Sequence, residues 1–371
     1  MHQIQRTCMR KWQISLRLLG VPSSPINRLI SSTYCDPTNN AARQYATAPN
    51  APCKIPPSQL EAKKHHLGWE IIQAQVEPYF NHNWRFASES KRKGFLALGL
   101  SRAFSNFFPL TLDDRIGVTC KMLYLSLLID GRRHGQLLTI EIDQLEKMSF
   151  AQMLAYRHRA MEIAFGTVNP DMSVSHEWML YDTLQTMRIK DEVLAMDVTQ
   201  GFCQLLKAMT SQERGSISTL GSYLEFREVD VGRTFYTALM RFGAKFHLTE
   251  GQLVKTQSLE STAFRHVSVI NDIYSWEREW KVSQTDQTDG ARPFSAVYIL
   301  STETGLPFSA CKRLLYSYCR ELELVFKQAV HEIRHDSSSD LTPEFEKYLQ
   351  GLEYFMSGIE TWSQWTPRYR Q

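Results

Sequence analysis

Apolar residues recur at helical spacing along nearly the whole chain from Ser58 onward. Period-3.6 segments fall near 59–80, 90–107, 113–130, 150–165, 175–209, 215–247, 250–281, 292–301, 307–334 and 342–364. Each predicts a helix with one face turned towards a core. No stretch sustains the period-two alternation, bounded by turn residues, that strands need. Breaks fall at Phe108-Pro109, Asn169-Pro170, Ser211 to Gly215, Asp286 to Gly290 and Ser337 to Ser339. No repeat period is present, which argues against a solenoid. The pattern predicts an all-α single domain.

Composition changes this picture mainly at the N-terminus. The first 55 residues carry Arg6, Arg10, Lys11, Arg17, Arg28, Arg43 and Lys54 against one acid, Asp36, amid Ser, Asn and Pro. They read as a basic, disordered extension or a start placed too far upstream, with a mitochondrial transit peptide as the alternative. Cys53 to Pro57 forms a linker, and 56–371 is long enough for a sizeable core. A net charge of +3 spread over 371 residues gives no reason to propose nucleic acid. The seven cysteines are scattered, odd in number and free of C-x-x-C pairs, which fits reduced thiols in the cytoplasm. No apolar run approaches the length of a membrane span.

The chemistry concentrates in Val269-Ile-Asn-Asp-Ile-Tyr-Ser-Trp-Glu-Arg-Glu279. Asn271, Ser275 and Glu279 recur at steps of four, so a helix sets their oxygens along one face. An amide oxygen, a hydroxyl and a carboxylate together suit a hard divalent cation such as Mg2+. A solvated helix face could carry the same triad, but the approach from Val267 to Ile270 is largely apolar. That favours a triad facing a cavity.

The pattern Asn-Asp-x-x-Ser-x-x-x-Glu resembles the second metal-binding motif of class I terpene synthases. Tyr223-Leu-Glu-Phe-Arg-Glu-Val-Asp-Val-Gly232, Gly351-Leu-Glu-Tyr-Phe-Met-Ser-Gly358, Trp362-Ser-Gln and Pro367-Arg-Tyr369 narrow the likeness to fungal sesquiterpene cyclases of the aristolochene synthase type. It runs from about Pro56 to the C-terminus. The resemblance implies antiparallel helices around a deep apolar cavity, and farnesyl diphosphate ionised by Mg2+, in a cluster of three ions. It assigns Asn271, Ser275 and Glu279 to metal, and Arg227, Arg278, Arg368 and Tyr369 to the diphosphate. Arginine suits that task because it stays charged and donates two hydrogen bonds to phosphate oxygens. Phe107 and Trp362, and less directly Phe202, are aromatic candidates for stabilising a carbocation. Phe107 stands where the family carries Tyr, and Leu127 where it carries Phe, so the product stays open. So does the oligomeric state, a homo-oligomer included.

The family's first metal motif is interrupted. The helix Cys120 to Asp130 runs into Gly131-Arg-Arg-His-Gly135, and the expected text resumes only at Asp143-Gln-Leu-Glu146. Removing residues 131–142 restores Leu-Leu-Ile-Asp-Asp-Gln-Leu-Glu, as a retained in-frame intron would require; a looped-out insertion is the alternative. Asp130 is therefore the expected metal ligand, and Asp143 and Glu146 join it only if the insertion folds back. Asp113-Asp114-Arg115 lacks a following acid, and Asp113 reads as a helix N-cap. Two rivals remain: a catalytically silent binding protein, whose broken motif no longer assembles metal, and a chain-elongating prenyltransferase, which would need two full Asp-rich motifs.

Overall fold

The computed structural model describes residues 56–86, 88–130, 150–209, 211–285, 293–336 and 340–369. Thirteen α-helices make up the described part, with no strand among them. In chain order they are α1 Trp69–Asn83, α2 Glu89–Ala97, α3 Leu100–Phe107, α4 Ile116–Asp130, α5 Phe150–Phe165, α6 Ser175–Lys190, α7 Glu192–Met209, α8 Leu220–Asp230, α9 Arg233–Ala244, α10 Glu250–Thr285, α11 Ala296–Thr304, α12 Phe308–His335 and α13 Pro343–Trp365. Short 3-10 turns follow α7 (Gln212–Ser216) and α13 (Pro367–Tyr369).

Four of the expected segments differ. Segment 59–80 begins its helix only at Trp69, after Gly68 turns the chain at φ 77°. Segments 90–107 and 215–247 are each split by a glycine in the left-handed region, Gly99 (φ 62°) and Gly232 (φ 91°), a conformation that side chains with a Cβ resist. Segment 175–209 is split at Asp191, whose backbone is extended. Its carboxylate accepts from Leu194 N at 3.2 Å, starting α7 afresh, and is paired by Arg115 and His247. Asp113 and Asp114 are exposed, paired with His66 and Lys190.

Helix α10 organises the bundle. At 36 residues it is about 54 Å long, and α8, α9, α11, α12 and α13 all pack against it. Helix α4 lies against α1, α3, α6 and α9, so α9 touches both α4 and α10. Two glycines allow the closest approaches. A Cβ on Gly201 of α7 would meet the Phe235 Cα at 2.7 Å, and one on Gly358 of α13 would meet the Asn106 carbonyl oxygen at 2.6 Å. At the centre of the core, Phe355 packs against Phe107, Phe108, Tyr236 and Phe264, with ring centroids 5.3–5.6 Å apart.

Candidate active site

Two helices supply most of the polar groups. Thr219 starts α8 by accepting from Ser222 N, and the helix then carries Tyr223, Arg227 and Asp230 at i, i+4 and i+7, on one face. On α10 the residues Arg278, Asn271, Ser275, Glu279 and Asp272 fall within about 120° of the circumference, given 3.6 residues per turn. The expected triad therefore shares a face. Ser275 is buried, while Asn271 and Glu279 are half-buried.

Arg227 joins the two helices. Its Nη2 donates to Asn271 Oδ1 at 3.2 Å and to Asp272 Oδ1 at 3.4 Å, and its Nη1 donates to Asp230 Oδ2 at 2.6 Å. Its partner along the helix is thus Asp230 at i+3. Asp272 is buried; its Oδ2 accepts from the Tyr223 hydroxyl and from Ala296 N at 2.8 Å, tying the start of α11 to this face. Burial raises the Asp272 carboxyl above its usual range, against the pull of Arg227, Tyr223 and Ala296. Burial alone would weaken the proton affinity of Arg227, but Tyr223, Asp272, Asp230 and Glu279 around it outweigh that and hold it charged.

The C-terminal turn closes the other side. Asn271 Nδ2 donates to the Tyr369 hydroxyl at 2.5 Å. Arg278 is buried, and burial together with the like charge of Arg368 lowers its affinity for its proton. Glu279 is pushed the opposite way for a carboxyl, upward, by burial and the negative Asp272. Three buried polar atoms around this face lack a hydrogen-bond partner: Ser275 Oγ, Arg227 Nε and Arg278 Nε. The Ser275 hydroxyl forms no hydrogen bond of normal geometry, although it lies near enough to Glu279 to favour its charged form. The Asn271, Ser275 and Glu279 oxygens fit a divalent cation, and the unmatched guanidinium donors of Arg278 on the same helix and Arg227 on α8 fit a polyanion.

An aromatic path leads from here into the core. Tyr369 meets Trp362 at 5.6 Å, Trp362 meets Phe107 edge-on at 5.9 Å, and the Trp362 Nε1 donates to Leu98 O at 3.4 Å. Phe202 is buried against Phe235. Asp130 ends α4; its side chain, Asp143, Glu146 and the segment 131–142 lie outside the described residues.

Another cluster could be mistaken for a metal site. His266, Glu323 and Glu360 are buried together, beside a groove of about 430 Å³ where residues near Pro56 cross α12 and α13. Arg320 already fills it, donating to Glu323, to both Glu360 oxygens and to Pro56 O. Both carboxylates there are paired with Arg320.

Comparison with known proteins is consistent with the α8–α10 geometry. The family described as "Terpene synthase family 2, C-terminal metal binding" matches residues 178–323. The chain is 37% identical to an aristolochene synthase of Aspergillus terreus, over 85% of this chain and 93% of that protein. It is 39% identical to that of Penicillium roqueforti, over 85% and 88% respectively. The crystal structure of aristolochene synthase from Penicillium roqueforti superposes with a TM-score of 0.72 at 36% identity, covering 84% of this chain and all of that one. This chain belongs to the terpene synthase family. It is an enzyme with the all-α fold of class I terpene synthases, and its matched metal-binding region implies use of a divalent cation. No finding favours the silent binding protein. Among the described residues no helix is long and apolar enough to cross a membrane.

Sequence reasoning missed Asp230, Asp272 and Tyr223 as parts of this site. Only the Arg227–Asp230 pair had a readable signal, its i, i+3 spacing. The others meet across 40 to 50 residues of chain, which no local pattern records.

Proposed function

We propose that this chain is a Mg2+-dependent sesquiterpene cyclase that ionises farnesyl diphosphate and closes the farnesyl cation into a ring system, releasing diphosphate. The observation that carries this reading is the set of orphaned buried groups, Ser275 Oγ, Arg227 Nε and Arg278 Nε, gathered about the oxygens of Asn271 and Glu279. Buried polar atoms normally find partners, so a face with three of them unpartnered is built for a ligand. Asn271, Ser275 and Glu279 would hold one Mg2+ and Asp130 others of a three-ion cluster, which supplies positive charge against the departing diphosphate.

The protein's own groups do the rest. Arg278 and Arg368 donate to phosphate oxygens where negative charge develops, and Arg227 joins them by turning part of its guanidinium away from its acid partners. Positive charge aimed at the departing group stabilises its departure. Diphosphate also relieves the repulsion between Arg278 and Arg368, so substrate binding draws the C-terminal turn inward. Tyr369, already bonded to Asn271, closes the mouth and helps exclude water. Phe107 and Trp362 present ring faces to the cation, and the surrounding apolar wall sets which carbons meet. The catalytic domain is assigned to 56–371, with 1–55 as an extension and 131–142 as an insertion foreign to the motif. A cytoplasmic location agrees with the four free, buried cysteines described, Cys120, Cys203, Cys311 and Cys319.

The test is incubation with farnesyl diphosphate and Mg2+, with product extracts analysed for sesquiterpenes. Hydrocarbon that disappears in Glu279→Gln supports the proposal; no product, with or without residues 131–142, overturns it.

A further inference from the structure

We propose that Arg214 is a positioning residue for this reaction: it keeps the Asp230 carboxylate charge-balanced, leaving Arg227 free to turn towards diphosphate. The inference rests on the reading of Arg227 as a diphosphate donor, and adds a residue that reading does not use.

Asp230 has no side-chain exposure. Its Oδ2 takes the Arg227 Nη1 and its Oδ1 takes the Arg214 Nη2, so two guanidinium groups share one buried carboxylate. Arg227 meanwhile spends its Nη2 on Asn271 and Asp272, and only its Nε is unpartnered. To offer its fork to phosphate oxygens it must loosen its hold on at least one of these acids. A buried carboxylate that loses its counterion resists the change strongly. Asp272 is protected by the Tyr223 hydroxyl and Ala296 N on its other oxygen. For Asp230 the matching protection is Arg214.

Arg214 is itself well anchored. It sits in the turn Gln212–Ser216, ahead of α8 and off the oxygen-lined face, and its guanidinium lies 4.7 Å over the Phe294 ring and 5.9 Å from Phe226. Stacking fixes the plane of the group, so its charge stays with Asp230 whatever Arg227 does. Phe294 also packs on Tyr223, so the same ring braces both protections.

The test uses the full-length enzyme with Mg2+, measuring inorganic diphosphate binding by calorimetry and turnover of farnesyl diphosphate. Arg214→Gln is expected to raise both the diphosphate Kd and the KM about tenfold, some 1.4 kcal/mol, with kcat changed far less. Arg214→Lys keeps the charge and should recover most of that loss. In Arg214→Gln/Asp230→Asn the stranded charge is gone, so diphosphate should bind more tightly than to Arg214→Gln alone, an outcome a merely structural role would not give. Unchanged Kd and KM in Arg214→Gln, or losses in the double variant that simply multiply, would overturn the proposal. Should Arg214→Gln not fold, Phe294→Leu replaces it: removing the stacking face should raise the same Kd by a smaller factor, and no change refutes the role. Arg227→Gln separates the two ideas. If it binds diphosphate like wild type, the reading of Arg227 is wrong and this inference goes with it.

Discussion

As the proposed metal ligand, Glu279 would trade stability for activity. Burial and the neighbouring Asp272 raise its carboxyl, so without a cation its charge is unwelcome in the fold. Glu279→Gln removes that burden along with the ligand. We expect the metal-free variant to melt no lower than wild type, to gain nothing in melting temperature from Mg2+, and to lose about 100-fold or more in kcat/KM. A variant that still gains wild-type stabilisation from Mg2+ would remove Glu279 from the ligand set. At this scale the sequence was partly legible. Asn271, Ser275 and Glu279 declare themselves by spacing, because a helix converts a step of four into a shared face. Tyr223 and Asp272 do not, because their meeting depends on how α8 lies across α10.

Among the elements, the breaks decide the architecture. Asp191 ends one helix and caps the next, and its partner Arg115 is even more buried than it is. Burial pushes the Asp191 carboxyl up, but Leu194 N, Arg115 and His247 overcome this and hold it below its ordinary 3.8. A lowered carboxyl contributes stability above about pH 4 and loses it as pH falls through the folded value. Asp191→Asn should therefore cost about 3 kcal/mol at pH 7, measured by denaturant unfolding, with the deficit shrinking below pH 4. A deficit independent of pH would exclude the charge as its cause. At the crossing of α3 and α13, Gly358→Ala should cost about 1–3 kcal/mol, because its new methyl meets backbone at Asn106 that has little room to yield. Unchanged thermal stability would show that the helices can slide apart. Gly99 and Gly232 broke segments that the apolar pattern read as continuous, since periodicity does not register a positive φ.

For the whole molecule the open element is the first metal motif. Deleting residues 131–142 brings Asp143 next to Asp130 in sequence, and we expect metal-dependent product formation to rise about tenfold or more, the scale on which misplaced site groups act. Comparable turnover by both forms would mean that the insertion leaves the site intact. Removing metal with a chelator should abolish turnover in either form, and Mg2+ should restore it. Turnover that persists in chelator would contradict the oxygen-lined face as a cation site.

The sequence by itself determined the helical class, the triad on α10 and the family, because these depend on local periodicity and on short motifs. The shared grip on Arg227 was decided by tertiary structure alone. So were the confrontation of Arg278 with Arg368 and the ring path from Tyr369 to Phe107. Such contacts join positions far apart in the chain, and which distant groups meet is set by helix crossing and burial, quantities that a linear pattern does not carry.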